Sequence, residues 1–240
     1  MPGFVKALSD ASTAAEAIRR AAALRAQGVS TPAAGKGREP HQVVFDRIDG
    51  RTGPGLVGHD FSGFLAPLHR IHVAHVDGLA PYDPFLRIRP RLKLATCGAM
   101  RAVLEESVPK GVATVHGDFH VGQLIREPSG KVWIVDLDDL AIGPPEADLA
   151  NFAAHLSTSG IVGNFMQALE RRRSQVLEAC RAAGVECRPA VFERYLRFAL
   201  VRRHLKLREA GRPDYEAGIA NYLTAATTRT SPSDSEAYPG

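Results

Sequence analysis

Cysteine is scarce in this chain: Cys97, Cys180 and Cys187 are three in 240 residues, an odd number without metal-ligand spacing. That excludes a disulfide framework or a cysteine-built zinc site, and it reads as reduced thiols in a cytoplasmic protein. Long apolar runs are lacking too. Nothing approaches the roughly 18 consecutive apolar residues of a membrane span, so none is expected. No basic segment near Met1 leads into an apolar core, so no secretory signal is expected either. A strong excess of one charge is also absent, since the formal net charge is only +4. Nucleic-acid binding needs a motif beside such a balance, and none is found. What is present is apolar mass. With 45% hydrophobic residues, the chain can bury a sizeable core as one domain or as two small lobes.

The chain is organised around the stretch from Thr114 to Asn151. The apolar run Ala113-Thr114-Val115 leads into His116-Gly117-Asp118, which places that triplet where a strand turns into a loop. Gln123 opens a second run, Gln123-Leu124-Ile125. The segment Glu127-Pro128-Ser129-Gly130 has the Pro and Gly positions that a type I turn favours. It reverses the chain into the β-rich Lys131-Val132-Trp133-Ile134-Val135, which delivers Asp136. A hairpin therefore brings Asp118, Gln123 and Asp136 into one small volume. Taken singly, each is best read as a loop residue that caps a turn. Together they divide a chemical task. A carboxylate and a carboxamide are hard oxygen ligands suited to Mg²⁺, and a separate carboxylate can take or orient the proton of an attacking hydroxyl. Base, amide and metal-holding Asp, in that order, make up the phosphoryl-transfer arrangement.

These residues also carry a family resemblance. His116-Gly117-Asp118-Phe119-His120-Val121-Gly122-Gln123 resembles the HGDxHxxN signature of the aminoglycoside phosphotransferase and choline kinase family of small-molecule kinases. Val135-Asp136-Leu137-Asp138 is similar to that family's metal-binding Asp motif. Gly143-Pro144-Pro145-Glu146-Ala147-Asp148-Leu149-Ala150 is similar to its following GxPxxDLA segment. Gln123 stands where the family usually has Asn; it carries the carboxamide oxygen on a longer arm, and the HxGQ pattern also resembles the maltokinase branch. The resemblance implies an α+β, protein-kinase-like fold in two lobes. It implies ATP and Mg²⁺, and a hydroxyl-bearing small molecule, sugar-like or aminoglycoside-like, as acceptor. By the same match Asp118 is the catalytic base, His116 braces its loop, and Gln123 and Asp136 are the metal ligands. Asp148 then hydrogen-bonds the catalytic loop from behind, and Asp138 and Asp139 are supporting acids or simply solvated ones.

Nearer the N-terminus, Gly3-Phe4-Val5-Lys6 is a short apolar run ending in Lys. Asp10-Ala11-Ser12 offers N-caps for a helix from Thr13 to Gln27, with Ala14, Ala17, Ile18, Ala21 and Leu24 as its apolar stripe and Gly28 as its stop. Gln42-Val43-Val44-Phe45 reads as a strand, followed by a short linker. This order resembles the family's small lobe from its third strand onward. The match makes Lys6 the contact to the nucleotide phosphates and the backbone of Phe45 to Ile48 the hinge that meets adenine. Glu16 is the acid within the helix that stands to pair with Lys6, although a solvated helix residue explains it equally well. The family's small lobe opens with two strands and a Gly-rich loop over the phosphates, and this sequence starts after them. A truncated small β lobe over residues 1–50 is therefore expected. Its strand Phe4-Val5-Lys6 becomes a sheet edge, to be paired in a homodimer, covered by another segment, or frayed. Fraying is the expected outcome for so short a run near a terminus.

The rest, residues 51–223, reads as a mostly helical large lobe. His69, His72 and His75 recur every third residue near a helical piece from Phe64 to Val76, and polar residues on a partly exposed helix explain them better than metal ligands. Pro144-Pro145 introduces a helix with Leu149, Phe152, Ala153 and Leu156 on one face. Asn164 caps another that stops at Gly184, Pro189 to Glu209 forms a third, and Tyr215 to Leu223 a last short one. Residues 224–240 lack an apolar pattern and read as a disordered tail. Between Ser157 and Leu223 there are 12 Lys/Arg against 7 Asp/Glu, which favours a neutral or anionic acceptor over a polycation. Two functional classes stay open. Asp118 and Asp136 favour an enzyme; a missing Gly-rich loop favours a non-catalytic pseudokinase that binds a ligand or partner.

Overall fold

The computed structural model describes residues 3–53, 56, 61–95, 98–158, 164–212 and 215–229. It begins with a small antiparallel sheet in the order β1-β3-β2, built from Phe4–Ala7, Ala34–Lys36 and Gln42–Phe45 (β1, β2 and β3). The run that was expected to fray is instead a paired strand. Phe4 lies opposite Phe45 and Lys6 opposite Val43, so the whole of β1 finds backbone partners on one side. The β-branched pair Val43-Val44 in β3 suits the middle of this sheet, and Val43 is fully buried. Helix α1, Ala11–Ala26, crosses behind it with Ala14, Ala21 and Leu24 buried. The Asp10 side chain caps it by accepting from the Thr13 N–H at 2.8 Å, satisfying an otherwise orphan donor. Gly28, at φ 79°, takes the left-handed turn that ends it.

A linker then enters the large lobe through β4, Arg51–Thr52, which pairs with β6, Leu124–Arg126; β6 pairs in turn with β7, Val132–Ile134. The β6–β7 hairpin closes through a turn in which the Gly130 N–H donates to Glu127 O at 2.9 Å. Strand β5, Ala113–Val115, pairs with β8, Ala141–Gly143, so the ends of both short sheets converge on residues 116–140.

Seven helices complete the described residues: α1, α2 (Ser62–Val73), α3 (Gly98–Glu105), α4 (Glu146–Ser157), α5 (Phe165–Ala182), α6 (Pro189–Glu209) and α7 (Glu216–Arg229). Every residue of α4 is buried, including Glu146, Asp148 and Asn151. It packs between α5 and α6 and directly beneath the loop after β5. A helix apolar on one face only would expose the other, so α4 is central because alanine, leucine and phenylalanine surround its polar positions. Asn164 caps α5 as the sequence indicates, accepting from the Met166 N–H at 2.8 Å. Helix α7 continues through residues 224–229, which corrects the expected tail at Thr224; residues 230–240 lie outside the described residues. Cys180 and Cys187 are free thiols, and Cys97 lies outside the described residues. Among the described residues no helix is long and apolar enough to cross a membrane.

Candidate active site

The loop after β5 is fixed from below. Asp148, in the first turn of α4, accepts from the backbone N–H of His116 at 2.7 Å and of Gly117 at 2.9 Å. His72 of α2 meets the same carboxylate at 3.0 Å. His72 is therefore a buried support, whereas its neighbours His69 and His75 are exposed, as a partly exposed helix predicts. Gly117 is required on two counts. Its φ is 80°, and a Cβ there would sit 2.1 Å from Asp139 O. His116 closes the loop from within. Its Nδ1 accepts from the Asp118 N–H at 3.3 Å, so Nε2 carries the proton and donates to Val135 O at 3.0 Å. The ring thus ties the β5 loop to the end of β7.

Asp136 follows β7 in the left-handed region, at φ 63° and ψ 64°. It is the one such non-glycine residue among those described, and strain of this kind gathers at functional sites. Its Oδ2 accepts from Gln123 Nε2 at 3.0 Å, and its Oδ1 meets Lys6 Nζ at 2.6 Å. Lys6 also reaches Asp138 Oδ2 at 2.6 Å. Burial pushes the Asp136 carboxyl upward, but the Lys6 ammonium outweighs it and holds the group below the usual carboxylate range. Burial likewise pushes Lys6 downward, and the two carboxylates together raise it above an ordinary lysine. These residues form the polar end of a cleft of about 500 Å³ between the lobes. Phe45 and Ile48 line it from the hinge, Thr31 and Pro32 from the turn before β2, and Val135 and Leu137 from the large lobe.

Lys6, Phe45, Ile48, Gln123 and Asp136 therefore share one cleft, as the sequence led us to expect. Glu16 does not join them. It grips Arg19 at 2.7 Å and Arg20 at 2.8 Å within its own helix. A three- or four-residue spacing on one helix face satisfies this carboxylate locally, and Arg20 passes the connection on by donating to Asp138 O at 3.0 Å.

Asp118 lies on the other side of the loop and is nearly buried, at 6% exposure. Its Oδ1 accepts from Arg202 Nη2 at 2.7 Å and from Asn151 Nδ2 at 3.3 Å. Oδ2 faces Arg87 Nη1 at 3.5 Å, too long for a good hydrogen bond. Arg87 also pairs with Asp139, whose carboxyl is nonetheless pushed up by burial. Arg87 and Arg202 did not stand out in the sequence; each is one arginine among many, and Arg202 is 84 positions from Asp118. Asn151 was within reach of the sequence, closing the stretch read as the core of the site.

Comparison with known proteins follows this geometry. The model of a family described as "Phosphotransferase enzyme family" matches residues 6–183. The chain belongs to that family. No curated protein sequence matches it. Among solved structures, choline kinase LicA from Streptococcus pneumoniae is similar with a TM-score of 0.60 at 14% identity, covering 92% of this chain and 84% of that one. The amicoumacin kinase hAmiN, in complex with AMP-PNP, Ca²⁺ and Ami, gives 0.58 at 14%, covering 91% and 78%. The macrolide 2'-phosphotransferase MphH from Brachybacterium faecium gives 0.54 at 14%, covering 91% and 83%. At such identities the likeness establishes the fold, which is the α+β, kinase-like fold of these small-molecule phosphotransferases.

The residues of this phosphotransferase family member fit a divalent metal. Gln123 and Asp136 supply hard oxygen donors at one end of the cleft, with Asp138 next to them through Lys6, the chemistry Mg²⁺ prefers when phosphates complete its shell. Lys6 places a cation between the carboxylates of Asp136 and Asp138.

Proposed function

We propose that this chain transfers the γ-phosphoryl group of ATP, with Mg²⁺, to a hydroxyl of a small molecule. One observation carries the reading: a cleft that ends in Lys6, Gln123 and Asp136 abuts the braced loop that holds Asp118. Phe45, Ile48, Pro32 and Leu137 give the base of a nucleotide a flat apolar slot, and the hinge backbone supplies its polar edge. Lys6 reaches the phosphates. Gln123 and Asp136, with Asp138 beside them, would hold the metal, which would supply positive charge to offset that of the phosphates.

Arg202 and Asn151 occupy Asp118 Oδ1, so Oδ2 is the oxygen left to meet an acceptor hydroxyl. In the transfer that oxygen takes the hydroxyl proton. The acceptor oxygen forms its bond to the γ-phosphorus as the bond to ADP breaks. The nucleotide analogue and divalent ion named with the similar amicoumacin kinase support this use of the cleft. A cytoplasmic setting accords with the free thiols of Cys180 and Cys187.

A second reading, ligand binding without transfer, draws on Glu16, which holds Arg19 and Arg20 and leaves Lys6 to the acids it would share with a metal. ADP release with ATP and Mg²⁺ across a panel of hydroxyl compounds separates the two. Acceptor-dependent release that Asp118→Asn abolishes supports transfer; saturable nucleotide binding without release for any acceptor supports the second reading.

A further inference from the structure

The acceptor side of Asp118 has a charge pattern that the nucleotide side does not. Helix α6 carries Arg202, Arg203 and Lys206, and the segment before the turn at Arg89–Leu94 adds Arg87. Arg202 and Arg87 flank Asp118. Lys206 stands one helical turn beyond Arg202 on the same face, exposed and without a hydrogen bond or ion pair among the described residues. Arg203 donates to Thr158 Oγ1 at 2.9 Å and has no carboxylate on it among the described residues. After burial, Asp118 attracts Lys206 while Arg202, Arg203 and Arg87 repel it, which leaves its ammonium lowered. Two histidines behind this group add no charge. His120 and His155 stack at 4.2 Å with their planes 2° apart, and burial drives His120 down to about 4 and His155 well below its ordinary value.

The same histidines and Asp118 offer donor atoms within 4.8 Å of one another, a grouping that invites a metal reading. The charges oppose it. Four cations, Arg87, Arg202, Arg203 and Lys206, outnumber the two carboxylates among them, Asp118 and Asp139, and the parallel rings aim their nitrogen lone pairs along parallel planes and not at one point. Such a wall takes an anion.

We infer that the acceptor is a hydroxy compound bearing an oxyanion, a carboxylate or a phosphate, which Arg87 and Lys206 receive beside Asp118 Oδ2. This rests on the phosphotransferase reading and deepens it. Arg87 faces the open oxygen of Asp118 at 3.5 Å, so a group that reaches that oxygen comes within its reach. An oxyanion there competes with Asp118 and Asp139 for the Arg87 guanidinium, and drawing Arg87 aside clears Oδ2 for the hydroxyl. A polycationic acceptor meets the same wall as repulsion.

The test is calorimetric titration of the full chain, with and without AMP-PNP and Mg²⁺, using three probes of one skeleton: glycerol, glycerate and glycerol 3-phosphate. Saturable binding is expected of glycerate, of glycerol 3-phosphate or of both, and not of glycerol; which of the two binds tells carboxylate from phosphate. Lys206→Gln and Arg87→Gln should each weaken that binding by about tenfold or more, as loss of a charged hydrogen-bond partner does. Lys206→Arg should restore most of it, and AMP-PNP affinity should not change in Lys206→Gln. Equal binding of all three probes, no oxyanion binding up to about 10 mM, or oxyanion binding unaltered in Lys206→Gln would overturn the proposal. Failure of the phosphotransferase reading shows differently: AMP-PNP fails to bind while the oxyanion titration and its Lys206 dependence stand.

Discussion

The two faces of the β5 loop differ in how they are held. On the face proposed for the nucleotide, the polar end of the cleft, Asp136, Gln123 and Val135, comes from one hairpin, and Lys6 joins it from afar. On the acceptor face, Asp118 is held by Arg202, Asn151 and Arg87, drawn from three separate parts of the chain. The first face is a local construction with a distant visitor. The second is assembled by tertiary packing around α4 and α6. Local constructions leave signatures at fixed spacing, and assembled ones do not.

Substitutions on each face sharpen that contrast. The largest effect belongs to Asp118→Asn, which should cut turnover by about 10²–10⁴-fold, the usual worth of general-base catalysis. Nucleotide affinity should be nearly unchanged, because the carboxylate lies outside the cleft proposed for the nucleotide. Steady-state kinetics beside ATP titration reads both quantities; wild-type turnover in this variant would remove Asp118 from the chemistry.

Asp136→Asn should act the other way, weakening Mg²⁺-dependent nucleotide binding by about 10–100-fold, the scale of a lost charged contact. Repeating the titration with EDTA sets the metal-free baseline, and the variant and wild type should converge there.

Acid should expose the second face. His155 is buried and neutral, and its proton affinity is held well below that of an ordinary histidine, first by burial and then by His120. The unfolded chain binds a proton near pH 6.5, while the folded chain resists it, so stability is fully present above that pH and falls below it. The loss from this one group is on the order of 2 kcal/mol by pH 5. Urea titrations at pH 7.5 and pH 5 measure it, and His155→Gln should reduce the difference but not abolish it, because His120 is lowered as well; an unaltered difference would show that the ring is charged in the fold.

Lys6→Ala is the mildest of these. The Lys6 side chain is 27% exposed and its pairs are partly solvated, so ATP affinity should fall only about three- to tenfold. A strand that frayed would leave no effect at all, and the pairing of β1 with β3 predicts that there is one.

How much of this was legible follows from the same contrast. The hairpin, the turn at Glu127–Gly130, the caps of α1 and α5 and the length of α6 lie in short-range patterns, and the structure repeats them. Strand β2 escaped notice because Ala34-Gly35-Lys36 has no strand preference of its own and forms only against β3. Fraying of β1 was the wrong expectation for a related reason: the weight given to its open edge ignored four residues of pairing on the other side and the anchoring of Lys6 by Asp136 and Asp138. Glu16 was offered to Lys6 on family order, but two arginines on its own helix were nearer. Arg87 and Arg202 carry no local signal whatever. The regional excess of basic residues from Ser157 to Leu223 hinted at Arg202, and nothing hinted at Arg87.

The central claim is that one face of this loop binds nucleotide through a metal and the other performs the transfer. Calorimetric titration of ATP with excess Mg²⁺ into wild type, Asp118→Asn and Asp136→Asn tests it in a single series. The account predicts saturable binding to wild type and to Asp118→Asn, and marked weakening in Asp136→Asn alone. Absence of binding to wild type, or loss in Asp118→Asn with none in Asp136→Asn, would contradict it.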